Sequence, residues 1–299
     1  MLDARESLVG VADGRVRFAP SKVVWLYLVL AGSGLVLVFP PSLGACAAAV
    51  GLTGLTLCAG HSVGLHRGVI HRTYACSAWL RGLLAYVFVH TGIGGPISWI
   101  RLHYVRDHYQ NCADCPRYFR YDHSACLDYF WNLHLRFEPR DASIYGVPAR
   151  DEQDGWLRFL ERTWPVHVAL LGAALWLFFG PSVAIVCVPL RVGVSVLGHW
   201  YVGFAAHKHG AVRYELDGAA EIGRNLPWLG VLSFGEGFHN NHHANPGSAR
   251  MGEGPLELDL GYGLLLALER LGLVHDLRAT GRTNLRRGNA RLREPPIRA

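Results

Sequence analysis

The feature that most constrains this chain is an apolar run over residues 23–60, which contains no charged residue and no histidine. One membrane-spanning helix needs about 20 apolar residues, so the run is long enough for two. Two prolines directly after Phe39 divide the run near its middle, because proline interrupts a helix. The sequence therefore predicts a helical hairpin with spans at residues 23–39 and 43–60.

A second apolar stretch repeats this arrangement later in the chain. Residues 166–179 and 182–202 are apolar, and Gly180 and Pro181 between them favour a short link. Arg191 interrupts the last span, and a charge at membrane depth usually faces a polar interior. The two hairpins predict an all-α integral membrane protein with four transmembrane helices and a helical cap on one side.

Composition supports a membrane protein and orients the chain. Hydrophobic residues make up 51% of the chain and charged residues only 17%, while the net charge is +6. Basic residues crowd both ends, which suits either nucleic-acid binding or the cytoplasmic side of a membrane. The apolar runs favour a lipid bilayer, so we expect no nucleic-acid partner. We expect a multi-pass protein of a bacterial inner membrane, with both termini and the cap in the cytoplasm.

The same patterns divide the chain into three parts. Residues 1–22 are predicted to form a basic cytoplasmic segment, residues 23–275 the membrane domain, and residues 276–299 an arginine-rich tail. Within the domain, the polar residues 112–165 are expected to form the cytoplasmic cap. Residues 80–100 are expected to form a helix that lies on the membrane surface or covers the site.

Histidines gather at the predicted ends of the spans and in one dense cluster. The cluster has the pattern H-x-x-H-H and comprises His239, His242 and His243. Neutral imidazole is the commonest protein ligand for transition metals, so three of them can hold one ion or bridge two. His61 and His66 follow the first hairpin with the spacing H-x4-H. Five residues turn an α-helix by about 500°, so these two reach one ion only where the helix ends or loosens.

Further candidates lie on two other predicted helices. His103 and Asp107 share one helical face, and iron accepts imidazole together with carboxylate; a surface ion-pair cluster with Arg106 is the alternative. His199 and His207 step along one face of the last span. His207 is at the expected cytoplasmic exit, level with the first hairpin's histidines, whereas His199 lies two turns deeper.

The number and kind of these side chains indicate which metal the site would bind. Histidines at membrane exits or in clusters are too many for one ion, and imidazoles without grouped cysteines suit iron better than structural zinc. His71, five residues after His66, is expected to support a ligand. Two irons at the mouth of four membrane helices predict oxygen activation, which can remove hydrogen from an unactivated C–H bond. A long acyl chain in an apolar channel is the natural substrate.

Together these motifs resemble the membrane fatty acid desaturases, and within them the acyl-CoA (stearoyl-CoA type) branch. That family shows the histidine boxes H-x4-H-R, H-R-x-H-H and G-E-G-[FY]-H-N-x-H-H-x-[FN]-P. Residues 61–67 match the first box, and residues 235–246 match the third nearly residue by residue. Residues 205–207 resemble the family's extra ligand histidine, and residues 94–99 resemble the lead-in to the second box. The resemblance covers roughly residues 23–275.

The second box departs from the family pattern. It reads His103-Tyr-Val-Arg106-Asp107, so only its first histidine matches, and it looks like a bacterial sub-branch with H-x-x-R-D at this point. Gly203 stands where the family has an asparagine, four residues before the extra ligand histidine. These departures leave the ligand set of one iron open.

The resemblance implies two iron ions, dioxygen as a co-substrate, and electrons from a separate ferredoxin, rubredoxin or cytochrome b5. It implies a long acyl chain carried by CoA, acyl carrier protein or phospholipid, and no catalytic residue beyond the metal ligands. With the altered box, Asp107, His108 or His199 is expected to complete the ligand set. The candidate metal ligands are His61, His66, His103, Asp107, His108, His199, His207, His239, His242 and His243.

The expected function is that of a membrane di-iron desaturase that inserts a double bond into a long acyl chain, with its histidine-rich di-iron site in the cytoplasmic cap. Because the second box is altered, a related hydroxylase, acetylenase or decarboxylase is the alternative among enzymes. Outside enzymes, the alternatives are a metal transporter and an inactive lipid-binding relative. Clustering of histidines at helix ends argues against the transporter, which would place them along a conduction path.

Overall fold

The structure is a computed structural model that describes residues 14–113, 115–140, 146–279 and 290–292. Much of the predicted N-terminal segment and of the arginine-rich tail lies outside the described residues. The helices in chain order are α1 (Pro20–Leu37), α2 (Leu43–Ile70), α3 (Ala78–Val89), α4 (Pro96–Gln110), α5 (Ala125–His134), α6 (Ala149–Glu152), α7 (Gly155–Phe179), α8 (Pro181–Lys208), α9 (Pro227–Leu232), α10 (His239–Ala244) and α11 (Leu260–Arg270).

Short antiparallel strand pairs fasten the ends of the cap. The pairs are β1 (Gly14–Phe18) with β3 (Leu135–Pro139), β2 (Ala75–Cys76) with β5 (Val274–His275), and β4 (Tyr214–Leu216) with β6 (Ala290–Leu292). The first pair fixes the entry of α1 against the exit of α5. The second ties the chain after α2 to the chain after α11.

Four helices, α1, α2, α7 and α8, are long and apolar enough to cross a membrane. They form two hairpins, so the prediction of an all-helical membrane fold with four spans is confirmed. Apolar side chains at the predicted lipid face stand open to the surroundings, with Leu37 87% and Leu177 79% exposed. In water such a surface would be costly, and a bilayer covers it.

The two hairpin turns form where the sequence predicts them. Ser42 caps α2 by accepting a hydrogen bond from the backbone N–H of Ala45 at 3.1 Å, which satisfies one of the free donors of the first turn. Gly180, with φ of 84°, ends α7 in a conformation that glycine adopts without strain. Pro181 then begins α8, where its fixed φ suits the first helical position.

The spans run further than the apolar runs do. α2 continues through His61 to Ile70, and α7 begins at Gly155 rather than near residue 166. A helix ends where its backbone or caps demand it, not where the sequence turns polar. Here Asp154 caps α7 by accepting from the backbone N–H of Trp156 and Leu157.

The last part of α2, Leu55–Ile70, has the wider π-helical bonding, in which each N–H bonds the carbonyl five residues earlier. The N–H of His71 closes this stretch by donating to the His66 carbonyl at 3.1 Å. Residues five apart therefore lie about one turn apart, instead of on different faces as in an α-helix. This is the loosening that an H-x4-H pair requires.

Residues 80–100 form two helices rather than the single helix expected. α3 ends at Val89, and α4 begins at Pro96. Gly92 and Gly94 between them have positive φ values of 71° and 143°, which break the helix because only glycine adopts them readily. At 12 residues, α3 is too short to span a bilayer. It packs along the π-helical part of α2.

Arg191 faces the interior between the two hairpins and is 2% exposed. Its guanidinium donates to the carbonyls of Cys187 at 2.7 Å and His90 at 2.6 Å, and to the Thr56 hydroxyl at 3.0 Å. The buried charge thus meets neutral oxygens from α2, α8 and the turn after α3. It joins both hairpins to the helices that carry the candidate site.

Candidate metal centre

The four-histidine group comprises His66, His71, His103 and His242. The end of α2 supplies the first two, α4 the third and α10 the fourth. One ring nitrogen of each lies within 4.8 Å of the others, and the Nε2 atoms of His71 and His103 are 2.8 Å apart. Four imidazoles from three helices therefore converge on one point.

The three-histidine group comprises His207, His239 and His243. His207 is at the end of α8, and the other two lie four residues apart on α10, with their Nε2 atoms 3.1 Å apart. Residues four apart share a helical face, whereas His242 points to the four-histidine group. One short helix therefore serves both groups, and the His242 and His243 ring centroids are 5.8 Å apart.

The residues of both groups fit metal ions. Among the described residues, the buried side-chain atoms without a hydrogen-bond partner include both ring nitrogens of His242 in the first group and both ring nitrogens of His207 in the second. Such atoms are costly unless something binds them, and a metal ion would use their lone pairs. Burial lowers the pKa of His103 to about 3 and that of His242 well below its ordinary value. The imidazoles therefore stay neutral and able to bind metal.

A buried ion-pair network holds the first group in place. Glu236 Oε2 lies 2.6 Å from His66 Nδ1, and its Oε1 accepts from the Ser62 hydroxyl at 2.5 Å. Arg67, fully buried, donates to both carboxylate oxygens of Asp259 at 3.0 and 3.1 Å and also reaches Glu236. A carboxylate behind a ligand histidine fixes its ring orientation and raises its basicity.

A cavity of about 420 Å³ opens beside both groups, within the size range of about 300–1,000 Å³ usual for ligand pockets. His66 and His103 of the first group and His239 of the second face it. Apolar side chains of α8 and α9, including Val202 and Leu229, form much of the remaining wall. The two groups therefore lie at the wall of a space suited to an apolar ligand.

Comparison with known proteins agrees with this arrangement. The family model described as fatty acid desaturase matches residues 40–250, which is more than half of the chain and includes every member of both histidine groups. The chain belongs to the fatty acid desaturase family. The family suggested by the histidine boxes is thereby confirmed.

Several plant and cyanobacterial desaturases are similar to this chain. A palmitoyl-monogalactosyldiacylglycerol delta-7 desaturase of Arabidopsis thaliana is 31% identical over 76% of this chain and 59% of its own length. Delta-9 acyl-lipid desaturase 2 of the same plant is 30% identical over 76% of this chain and 73% of its own. An sn-1 stearoyl-lipid 9-desaturase of Synechocystis is 30% identical over 73% and 67%. This chain therefore spans less than two thirds of the length of the first relative.

Most histidines that match the desaturase motifs lie in one of the two groups. They are His66, His103, His207 and the three histidines of the third box. The structure does not bring His61 into either group. The His61 ring lies 4.7 Å from that of Trp99 and 5.1 Å from that of His199. The indole N–H of Trp99 donates to His199 Nε2 at 3.2 Å. His61 and His199 thus face the cavity rather than the converging ring nitrogens.

The two remaining candidates of the second box face different ways. Asp107 Oδ1 lies 3.3 Å from His103 Nδ1. Burial lowers the pKa of His239, and the negative charges of Asp107 and Glu236 oppose that shift, so Asp107 acts on a member of each group. His108 is exposed and lies 3.7 Å from the Cys112 sulfur. One residue further along α4 turns a side chain by about 100°, which points it outward.

Sequence reasoning underestimated His71 and missed Glu236. His66 and His71 repeat the same H-x4-H spacing as His61 and His66, so the sequence contains two overlapping pairs. Spacing alone does not choose between them, but a helix break after Ile70 would favour the second. Glu236 belongs to the third box, and no spacing rule connects it with His66, because the contact crosses from α9–α10 to α2.

Replacing Glu236 by glutamine is expected to weaken metal binding about 10- to 100-fold, the usual cost of removing a carboxylate behind a ligand histidine. The amide keeps the size of the side chain but loses the charge that orients His66. Titration of the metal-free protein with Co²⁺ in competition with a chelator measures the change. Glu253→Gln is the matched control, because Glu253 accepts from Tyr214 at 2.5 Å instead. Equal affinities of the Glu236→Gln and wild-type proteins would contradict this support role.

Proposed function

We propose that this chain is a membrane di-iron desaturase that uses dioxygen and two electrons to insert a double bond into a long acyl chain. The observation that carries the proposal is the pair of histidine groups that share α10 and lie beside an apolar cavity. The reaction converts –CH₂–CH₂– with O₂, two electrons and two protons into –CH=CH– and two molecules of water. A metal transporter has no need of that cavity, and the named relatives are desaturases.

Each histidine group would hold one iron, and the pair would supply the oxidising chemistry for C–H cleavage. His66, His71, His103 and His242 would bind the first ion. His207, His239 and His243 would bind the second, with Asp107, whose charge acts on His239, as a further donor. This assignment replaces one of the two histidines that the altered second box lacks by a carboxylate, which iron accepts.

The protein's own part is to hold the acyl chain against the metal centre and to exclude water. The apolar wall from α8 and α9 suits methylene groups, and the ring of Trp99 lies against His61 and His66 at the metal side. Excluding water protects a reactive centre from side reactions. Electrons are proposed to come from a separate ferredoxin, rubredoxin or cytochrome b5, and the basic N-terminal segment favours a cytoplasmic site.

The test is mass spectrometry of total fatty acids from bacteria that express this chain together with a ferredoxin and its reductase. His243→Ala is the matched control. A new species that lacks two hydrogen atoms, present only with the wild-type chain, is the expected result, and its fragmentation locates the double bond. A product with one added oxygen would favour a hydroxylase, and a shortened chain would favour a decarboxylase. No new product from an iron-loaded chain would contradict the proposal.

A further inference from the structure

Arg106 stands inside the protein, one turn of α4 beyond His103. Its Nη2 donates to the side-chain oxygen of Asn132 at 3.0 Å, while its Nε is buried without a partner among the described residues. Arginine stays protonated in proteins, so the wall of the cavity that Arg106 lines carries a permanent positive charge. A cation beside metal ligands is unfavourable, because it repels the metal ions. Its position there therefore needs a functional explanation.

A second, smaller cavity of about 100 Å³ adjoins the larger one, and both are lined by Arg106, Trp99, Leu102 and His199. Lys22, at the start of α1, lines the smaller cavity as well. Its ammonium group donates to the backbone carbonyls of Asn132 and Leu135. One permanent cation, Arg106, and one further basic side chain, Lys22, therefore border this space, and none of the residues that line it is Asp or Glu.

The nearby carboxylates either contact other side chains or line the larger cavity instead of the smaller one. Asp128 acts electrostatically on Arg106, but its oxygens lie 2.7 Å from His123 Nε2 and from the indole nitrogen of Trp200. Asp107 lines the larger cavity and lies beside His103. The smaller cavity thus has an excess of positive charge in an apolar and aromatic setting, which favours one bound anion.

The fold leaves room for the guanidinium at this place. A Cβ atom on Gly203 would lie 3.4 Å from Arg106 Nη1 and 3.6 Å from the Tyr121 hydroxyl. Any larger side chain there would compete with Arg106 for the same space. Gly203 on α8 and Arg106 on α4 both line the larger cavity, and the small size of the first makes room for the second.

We propose that Arg106 and Lys22 bind the carboxylate of a free long-chain carboxylic acid. This inference rests on the proposed function and names its substrate class as an acid, not a thioester or a glycerolipid ester. A planar carboxylate matches the fork of a guanidinium, and the apolar larger cavity accepts the chain. Because residues three apart on a helix are neighbours, the carboxyl end of the acid lies next to His103 and the metal centre.

Binding of tritiated palmitic acid to the purified, metal-free full chain in detergent at pH 8 tests the proposal. Unlabelled palmitic acid, its methyl ester and palmitoyl-CoA serve as competitors. We expect the acid to compete at least about tenfold better than the methyl ester, as for a charge-assisted hydrogen bond. Arg106→Gln is expected to remove that preference. Arg101→Gln, on the exposed side of the same helix and paired with Glu152 at 3.0 Å, is expected to retain it.

Equal competition by acid and methyl ester in the wild-type protein would overturn the proposal, and so would stronger competition by palmitoyl-CoA than by the acid. An unchanged preference in a folded Arg106→Gln variant would overturn it too. If that variant does not fold, the wild-type comparison and Lys22→Met decide, with a reduced acid preference expected for Lys22→Met. The metal-free assay needs no turnover, so a failed desaturase proposal would appear in the fatty acid analysis and not here.

Discussion

Replacing His71 by alanine is expected to lower the iron content of the purified protein by one ion per chain, whereas His61→Ala is expected to leave it unchanged. His71 Nε2 lies 2.8 Å from His103 Nε2, at the centre of the four-histidine group. The His61 ring packs instead against Trp99, with the ring centroids 4.7 Å apart. The overlapping H-x4-H pairs share His66, so the two variants decide which pair binds metal.

The physical reason for this difference is the π-helical end of α2. Its i to i+5 bonding places His71 one turn beyond His66, at the point where the helix ends and the chain faces α4 and α10. His61 lies one such turn deeper, toward the bilayer. Iron analysis of the two variants, purified in parallel, measures the effect. Loss of iron from His61→Ala with full iron in His71→Ala would contradict the four-histidine group.

Replacing Asp259 by alanine is expected to cost about 3–5 kcal/mol of unfolding free energy, as for the removal of one partner from a buried ion pair. Arg67 is fully buried, and Asp259 accepts both of its Nη2 contacts. Asp259 also accepts from the backbone N–H groups of Met251 at 2.8 Å and Tyr262 at 2.9 Å. The substitution therefore leaves the buried Arg67 charge with only the more distant Glu236, at 3.4 Å, as a counter-ion, and it removes the N-terminal cap of α11.

Unfolding of the metal-free protein at increasing concentrations of a denaturing detergent, followed by circular dichroism, measures this loss of unfolding free energy. Arg101→Ala is the control, because its ion pair with Glu152 joins side chains that are 46% and 52% exposed. An exposed pair of this kind contributes at most about 1 kcal/mol. A similar small effect of both substitutions would contradict a structural role for the Arg67–Asp259 pair.

The parts of the fold that depend on local sequence could be predicted. The four spans follow from apolar runs, and the two turns follow from proline and glycine, because both signals act within a few residues. The third histidine box is equally local, and its three histidines lie on one short helix, α10, which the sequence analysis did not predict. The ends of the spans could not be predicted this way, since α2 and α7 continue until a cap or a change of backbone bonding stops them.

The parts of the site that depend on tertiary contacts could not be predicted. Glu236 meets His66 across the fold at 2.6 Å, and no periodicity connects these two positions. Arg106 looked like a departure from a histidine box or a member of a surface ion-pair cluster. Its place near Lys22 depends on how α1, α4 and α5 come together around the smaller cavity. The chemistry of single residues could therefore be predicted from the sequence, whereas their partners in the folded protein could not.

The proposed di-iron centre has one iron ion in each of the two histidine groups. Its most direct test is the iron content of the full chain, purified from cells grown with iron and measured by plasma mass spectrometry against amino-acid analysis. We expect two iron ions per chain in the wild-type protein and one in His71→Ala. One iron or none in the wild-type protein, or zinc in place of iron at the same stoichiometry, would contradict it.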